Sequence, residues 1–237
     1  MGKWLAWLAY EWLIISCAMW LAYVGPWWTV PLCVLVVGSR QHALGILGHE
    51  AAHWSLLPDN HRLNDRLGNW LCIWALGSTV EAFRSFHLRH HVYLNTEQDS
   101  ERMQRQRFFR RWRDLTPWKK ARLIAGDLLG LNWREPFALM LAVGGRWTLT
   151  RGAYCVALVA VVYAVGGFLP LVVWVLALFT ANFAAMRARM WREHLGKEDT
   201  ERYVATWWER ALYLPHYIWK HAEHHTAGRW NVPCWKL

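Results

Sequence analysis

The chain has 237 residues and is 55% hydrophobic, yet its mean hydropathy is only +0.03, so strongly apolar stretches alternate with strongly polar ones. Twenty tryptophans favour a membrane protein over a Trp-rich soluble one, because indole prefers the membrane–water boundary. The net charge of +10 lies mostly between the apolar stretches, which points to anionic lipid and membrane topology before nucleic acid.

Four apolar runs predict four transmembrane helices arranged as two hairpins. The first run is interrupted only by Glu11 and is long enough for a hydrocarbon core of about 30 Å. Gly25-Pro26 separates the first pair, and a Gly- and Pro-containing turn at 166–170 separates the second pair. The second and fourth helices are expected to continue as polar helices beyond the membrane. The predicted spans are residues 4–24, 27–47, 149–165 and 171–187.

Arginine and lysine are concentrated between residues 102 and 122, on the side opposite the two charge-free turns. The positive-inside rule therefore places this loop and both termini in the cytosol of a bacterial inner membrane or its equivalent. Residues 67–79 and 115–145 are expected to form helices at the interface or on a cytosolic cap. The five cysteines show no CxxC pairing and are expected to be free thiols.

Three histidine motifs stand out in the polar parts of the chain. They are HEAAH at 49–53, HLRHH at 87–91 and HAEHH at 221–225. Side chains four residues apart share one face of a helix, so each motif can direct at least two imidazoles at one ion. One HxxHH motif can arise by chance, but two in one chain are far rarer, which makes the combined signal strong.

Imidazole binds iron, copper, nickel and zinc, and a single ion needs only three or four such ligands. The clustered histidines exceed that number, which favours a two-metal site. A site beside lipid suggests redox chemistry on an inert C–H bond, and that chemistry favours iron. The ligands alone leave zinc open.

Four stretches resemble the membrane fatty acid desaturase and hydroxylase family: RQHALGILGHEAAH (40–53), FRSFHLRHHVYLNTEQDS (83–100), REHLG (192–196) and LPHYIWKHAEHH (214–225). The resemblance implies an all-α integral membrane protein with one domain (1–237), whose cytosolic helical cap (48–134 and 188–237) carries two iron ions. It implies O₂ as co-substrate and a lipid, acyl-CoA or acyl-carrier substrate. The implied iron ligands are His49, His53, His87, His90, His91, His194, His221, His224 and His225.

Acidic residues near these histidines are expected to orient the imidazoles by accepting their second N–H. Glu50 and Glu223 lie inside the motifs and are the main candidates; Glu193 and Asp99 are further ones. Acyl-CoA desaturases carry an Asn one turn before the histidine of REHLG, where this chain has Met190. Three histidines remain outside these stretches' implied ligands and are interpreted as structural: His42, His61 and His216.

The predicted activity is O₂-dependent desaturation of a fatty acyl chain or lipid, giving a C=C bond. Because the chain shows no haem, flavin or CxxC iron–sulfur motif, electrons are expected from a ferredoxin, rubredoxin or cytochrome b5. A hydroxylase or carotenoid-type oxygenase on the same scaffold is the nearest alternative. A zinc metalloprotease would use HEAAH with Glu50 as base, but it leaves both HxxHH motifs without a role. A membrane metal-binding or transport protein would place its polar groups inside the spans.

Overall fold

The computed structural model describes residues 1–94, 96–101, 116–193, 202–226 and 232–237. Throughout these residues the secondary structure is helical, and they contain no β-strand. Four helical segments are long and apolar enough to cross a membrane, the number that the sequence predicts. They are Gly2–Val24, Trp27–Ala52, Leu149–Gly166 and Phe168–Glu193.

Helix α1 spans Gly2–Val24, and α2 spans Val30–Ala52 after a 3₁₀ turn at Trp27–Thr29. α1 buries one narrow face, whose residues recur every three or four positions and pack on α2. Its remaining surface exposes large apolar side chains, as suits a helix facing lipid. The buried residues of α1 are Trp4, Leu8, Glu11, Ile15, Ala18 and Ala22.

Helix α3 (His61–Gly68) leads into an irregular segment before α4 (Val80–Val92). The segment consists of a π-helical turn at Asn69–Ile73 and a 3₁₀ turn at Trp74–Leu76, where a regular helix was expected. Side chains from other helices bind its carbonyls: Trp12 donates to the Leu71 carbonyl at 2.9 Å and Tyr154 to the Trp70 carbonyl at 2.7 Å. These two hydrogen bonds satisfy carbonyls of the π-helical turn.

Two short helices follow, α5 (Pro117–Leu128) and α6 (Arg134–Val143), within the region where the sequence predicts helices. Helices α7 (Leu149–Gly166) and α8 (Phe168–Phe179) are joined at Gly167, whose φ of +67° and ψ of −153° suit only glycine. This turn lies inside the predicted break at 166–170.

Helix α9 (Ala181–Glu193) continues from α8 after an interruption at Thr180 that the sequence did not predict. The Thr180 hydroxyl donates to the Leu176 carbonyl at 2.6 Å, a side-chain bond that competes with the helical ladder. At the same level α2 and α9 come very close, because a Cβ at Gly38 would lie 2.5 Å from the Ala181 Cβ. The described chain ends with α10 (Trp207–Leu212), α11 (His221–Thr226) and residues 232–237.

Helix α2 is the centre of the fold. It packs against α1, α3, α4, α8 and α9, and its residues from Val37 to Ala52 are almost all buried. Its C-terminal end carries the first histidine motif, so the most enclosed part of the protein is also the part that holds HEAAH.

A buried polar network fixes the segment before the third histidine motif against α1 and α2. Arg40 Nη1 lies 3.2 Å from the Glu11 carboxylate, and His216 Nε2 lies 2.9 Å from the same carboxylate. Arg40 also donates to the Ala211 carbonyl, and the Ser39 hydroxyl donates to the Leu212 carbonyl at 2.7 Å. The Glu11 that interrupts the first apolar run is therefore paired rather than exposed to lipid.

A second network attaches α5 and α6 to α9. The fully buried Arg187 donates to the Asp127 carboxylate at 2.9 Å and to Glu135 at 2.6 Å. Asn132 donates to the same Asp127 at 2.7 Å. A buried guanidinium shared by two carboxylates is stable only while both signs of charge are present.

We expect Arg187→Gln to destabilise the protein by about 3 to 5 kcal/mol, because it leaves the buried Asp127 carboxylate without its cation. Thermal unfolding in detergent micelles measures this loss. The double variant Asp127→Asn/Arg187→Gln removes both charges and should recover part of the loss. A double variant no more stable than Arg187→Gln would contradict the role assigned to this ion pair.

Candidate metal centre

Three helices carry the histidine motifs to one place inside the protein. α2 ends with His49 and His53, α4 presents the second motif near its C-terminus, and α11 consists mostly of the third motif. All eight motif histidines are buried apart from His225, which is half-buried. Eight imidazoles that have lost their hydrogen bonds to water on burial need a compensating partner, and a metal ion is the usual one.

The eight imidazoles form two groups, each with one ligand atom per residue within 4.8 Å of the others. The larger group draws on all three motifs, and the smaller group on the second and third. The larger consists of His49, His53, His87, His91 and His224, and the smaller of His90, His221 and His225. The two groups adjoin, since the rings of His91 and His225 stack with centroids 4.1 Å apart.

The nitrogens of the larger group face one another at short range. His87 Nε2 lies 2.9 Å from His49 Nε2 and 3.0 Å from His91 Nε2. His53 Nε2 lies 3.1 Å from His224 Nε2. In the smaller group, His221 Nε2 and His225 Nε2 are 3.0 Å apart.

A carboxylate on the outer nitrogen of His87 directs its other nitrogen towards the neighbouring rings. His87 Nδ1 lies 2.7 Å from the Glu101 carboxylate, which fixes the proton on Nδ1 and turns the Nε2 lone pair inward. His49 Nδ1 lies 3.6 Å from Glu50, too far for a hydrogen bond. The inward lone pair of His87 can accept one N–H from a neighbouring ring, or it can bind a metal ion together with His49 and His91.

The separations also fit first-row metal geometry. Two imidazole nitrogens each about 2.1 Å from one ion lie about 3.0 Å apart at a right angle and about 3.4 Å apart at a tetrahedral angle. The four measured separations, 2.9 to 3.1 Å, match the right angle. The residues present therefore fit a metal ion in each of the two groups.

In the smaller group, His90 Nδ1 lies 2.9 Å from Asp99, which orients that ring as Glu101 orients His87. Glu193 approaches His221, with its Oε2 3.9 Å from Nε2, and its other oxygen accepts from Arg189 at 2.7 Å. Both carboxylates were candidates for this orienting position from the sequence. Asp99 occupies it, whereas Glu193 lies on the inner nitrogen of His221, the one that faces His225.

Burial keeps these imidazoles neutral. It lowers the pKa of His53, His87 and His91 below the usual value for histidine, although Glu101 partly opposes this at His87. Burial also lowers the pKa of His224 to about 3 and that of His225 to about 2. Neutral imidazole is the form that binds metal, so the site is ready for ions at neutral pH.

The candidate carboxylates differ in their surroundings. Glu50 is buried, accepts from the Ser55 hydroxyl at 2.9 Å and lies close to His49. Glu223 is part-exposed and lies 3.7 Å from Arg202 at the surface. Glu101 was not among the residues predicted from sequence, although its place in the acidic run after HLRHH was a usable signal. His194 lies outside the described residues.

The three described histidines outside the motifs do not join either group. His42 lies 3.2 Å from the Tyr213 carbonyl, His216 pairs with Glu11, and His61 stacks on Trp54 with centroids 4.9 Å apart. His42 also lines a cavity next to the site.

That cavity extends from the larger histidine group into the helical bundle. His87 and Glu101 lie at its wall, so it reaches the larger group directly. Apart from a few polar side chains, its walls are apolar and come from α2, α4, α6, α8 and α9. Its apolar lining includes Ile46, Leu76, Phe83, Leu139, Met140 and Leu178.

Fold and site together define a helical, metal-binding membrane protein, and comparison with known proteins supplies the family. The family model "Fatty acid desaturase" matches residues 25–237, and the chain belongs to this family. A dihydrorhizobitoxine desaturase from Bradyrhizobium elkanii is 32% identical over 88 residues, which are 37% of this chain and 25% of that relative. Membership of this family favours an oxidoreductase of the desaturase and hydroxylase type over a HEAAH protease.

Metal analysis of the purified protein tests the two groups. We expect about two metal ions per chain, and His221→Ala should lose about one of them because it removes a ligand of the smaller group alone. His61→Ala, a histidine outside both groups, is the matched control and should retain both ions. Full occupancy in His221→Ala, or one ion in the unaltered protein, would contradict the assignment.

The metal-free protein should lose stability as pH falls. Histidines with a lowered folded-state pKa bind protons more readily when unfolded, so stability is complete above pH about 6.5 and declines below it, towards the folded pKa of about 3 for His224. The melting temperature of chelator-treated protein, followed from about pH 8 to about pH 5, measures this decline. His224→Gln should show a shallower decline; an identical slope would show that protonation of His224 does not contribute.

Proposed function

We propose that the protein is a di-iron, O₂-dependent desaturase that introduces a C=C bond into a fatty acyl chain or related lipid. The observation that carries the proposal is the apolar cavity that reaches His87 of the larger histidine group. An alkyl chain is the ligand that such a lining suits, and its far end would bring a methylene to the metal. Family membership supports this substrate class.

Within this proposal, all nine predicted histidines hold two irons, including His194 of the segment outside the described residues. The iron pair supplies, with O₂, an oxidant able to remove hydrogen from an unactivated C–H bond. The protein residues would position the metal-binding imidazoles and the substrate, and would shield the site from water. Glu101 and Asp99 orient His87 and His90 through hydrogen bonds, and Glu50 would orient His49, from which it lies 3.6 Å away in this structure. Glu223 would orient a histidine of the third motif.

The cavity walls determine which carbon is presented and keep water away. Phe83 stacks on His87 with centroids 5.3 Å apart and covers one side of the ring. Two sequential hydrogen removals from neighbouring carbons give an alkene, whereas return of an OH group gives an alcohol. A closely packed apolar wall that holds two adjacent methylenes at the metal favours the alkene.

Orientation and electron supply complete the proposal. Both hairpins would place their turns on one side of the membrane and the histidine site, with both termini, on the cytosolic side. An external ferredoxin, rubredoxin or cytochrome b5 would deliver electrons there. The basic residues that led to this orientation lie largely at 102–115, outside the described residues; Lys119, Lys120 and Arg122 follow them.

Expression in a host of defined lipid composition, followed by mass analysis, tests the reaction. A desaturase yields lipids that have lost two hydrogens, and a hydroxylase yields lipids that have gained one oxygen. Only the first result agrees with the proposal. Iron-loaded protein that yields neither with any host lipid would overturn the fatty acyl assignment.

Gly45 offers a test of the cavity. A Cβ at this position would lie 3.8 Å from Leu76 Cδ1, so Gly45→Ala fits without strain. Gly45→Phe should fill the cavity and reduce product by at least about tenfold while the metal content is unchanged, because about 1.4 kcal/mol of lost binding corresponds to tenfold. Gly45→Ala is the control. Unchanged product in Gly45→Phe would show that the substrate binds elsewhere.

A further inference from the structure

A second pocket lies between the first turns of α4 and α7, apart from the histidine site. It has a volume of about 410 Å³, against about 30 Å³ for one water molecule. The metal-binding residues of α4 are absent from its lining. Its polar lining includes Thr79, Glu81 and Ser85 on one side and Arg146, Thr148 and Arg151 on the other.

Arg151 is the unusual member of this lining. It is 1% exposed, and one of its terminal nitrogens, Nη1, donates to the Gly144 carbonyl at 2.6 Å. Nε and Nη2, which form one edge of the guanidinium fork, are buried without a hydrogen-bond partner. Buried, unpaired donors on a charged group are costly, so this edge calls for an acceptor.

The surroundings favour an anion as that acceptor. The N-terminal turns of α4 and α7 both border the pocket, and each contributes partial positive charge. Arg146 adds a further positive charge. Glu81 opposes them, but its carboxylate accepts from the Asn69 amide at 3.1 Å. The edge formed by Nε and Nη2 matches two oxygens of a phosphate.

Location identifies the source of the phosphate. Arg151 is the third residue of the apolar segment Leu149–Gly166, which is long enough to cross a membrane. Large exposed side chains surround this end, including Trp147 (65% exposed) and Leu149 (95%). Exposed indoles at a helix end mark the level of lipid headgroups. Trp147 lies 4.2 Å over the guanidinium and covers it from solvent.

We propose that this pocket binds the phosphate of a phospholipid headgroup through the Nε and Nη2 edge of Arg151. Binding would satisfy the two buried donors and would require the exposed Trp147 ring to turn aside. The site is separate from the metal centre and does not depend on the proposed reaction.

Binding of dihexanoyl phosphatidylglycerol to the iron-loaded full chain in detergent, measured by calorimetry, tests the proposal. We expect Arg151→Gln to weaken binding by about tenfold or more, since hydrogen bonds to a charged group are worth about 1.5 to 3 kcal/mol. Arg134→Gln is the matched control, because Arg134 also opens a helix beside a tryptophan, 5.7 Å away. Equal binding by the unaltered protein and Arg151→Gln would overturn the proposal.

A second variant covers the case in which Arg151→Gln fails to fold. Glu81→Gln removes the negative charge of the pocket but keeps an acceptor for Asn69, so it should bind the lipid several-fold more tightly; unchanged or weaker binding counts against the site. Dihexanoylglycerol, which lacks phosphate, should not bind. If inorganic phosphate alone bound equally well, the ligand of the pocket would be a free anion and not a lipid headgroup. If hexanoate bound more tightly, the ligand would be a carboxylate and not a phosphate. Either result overturns the proposal.

Discussion

The structure depends on the convergence of buried, neutral imidazoles, whose nitrogens the fold brings to about 3 Å from one another. His87 shows the constraint most clearly, because Glu101 holds its Nδ1 proton and turns the Nε2 lone pair towards His49 and His91. Desolvation has already made protonation of these rings costly. A metal ion that binds several of these nitrogens would hold the three motif-bearing helices together, and binding and folding would then be linked at this site.

The surrounding helices position the three histidine motifs. α2 packs against five neighbours and ends in the first motif, so His49 and His53 stand at the end of the most buried of the four long helices. The Glu11–Arg40–His216 network fixes the chain shortly before the third motif, and the Arg187–Asp127 pair attaches α5 to α9. These buried ion pairs lie outside the two histidine groups. They fix the helices that carry the histidines and line the cavity, so they support the candidate site as well as the fold.

Much of this could be predicted from sequence, because its signals are local. Helical spacing within HEAAH and HxxHH indicated which imidazoles share a face, and continuous apolar runs indicated four membrane-spanning helices. Partners distant in sequence gave no such signal. The division of the histidines into five and three depends on how α11 meets α2 and α4, and the pairing of Glu11 with His216 joins residues 205 positions apart. The break at Thr180 depends on one side-chain bond that competes with the helix.

Iron-edge anomalous diffraction from crystals of the metal-loaded protein tests the central claim most directly. Two iron peaks are expected, one among His49, His53, His87, His91 and His224, and the other among His90, His221 and His225. A single peak, or peaks that appear above the zinc edge but are absent between the iron and zinc edges, would contradict the assignment of these imidazoles to a pair of redox-active ions.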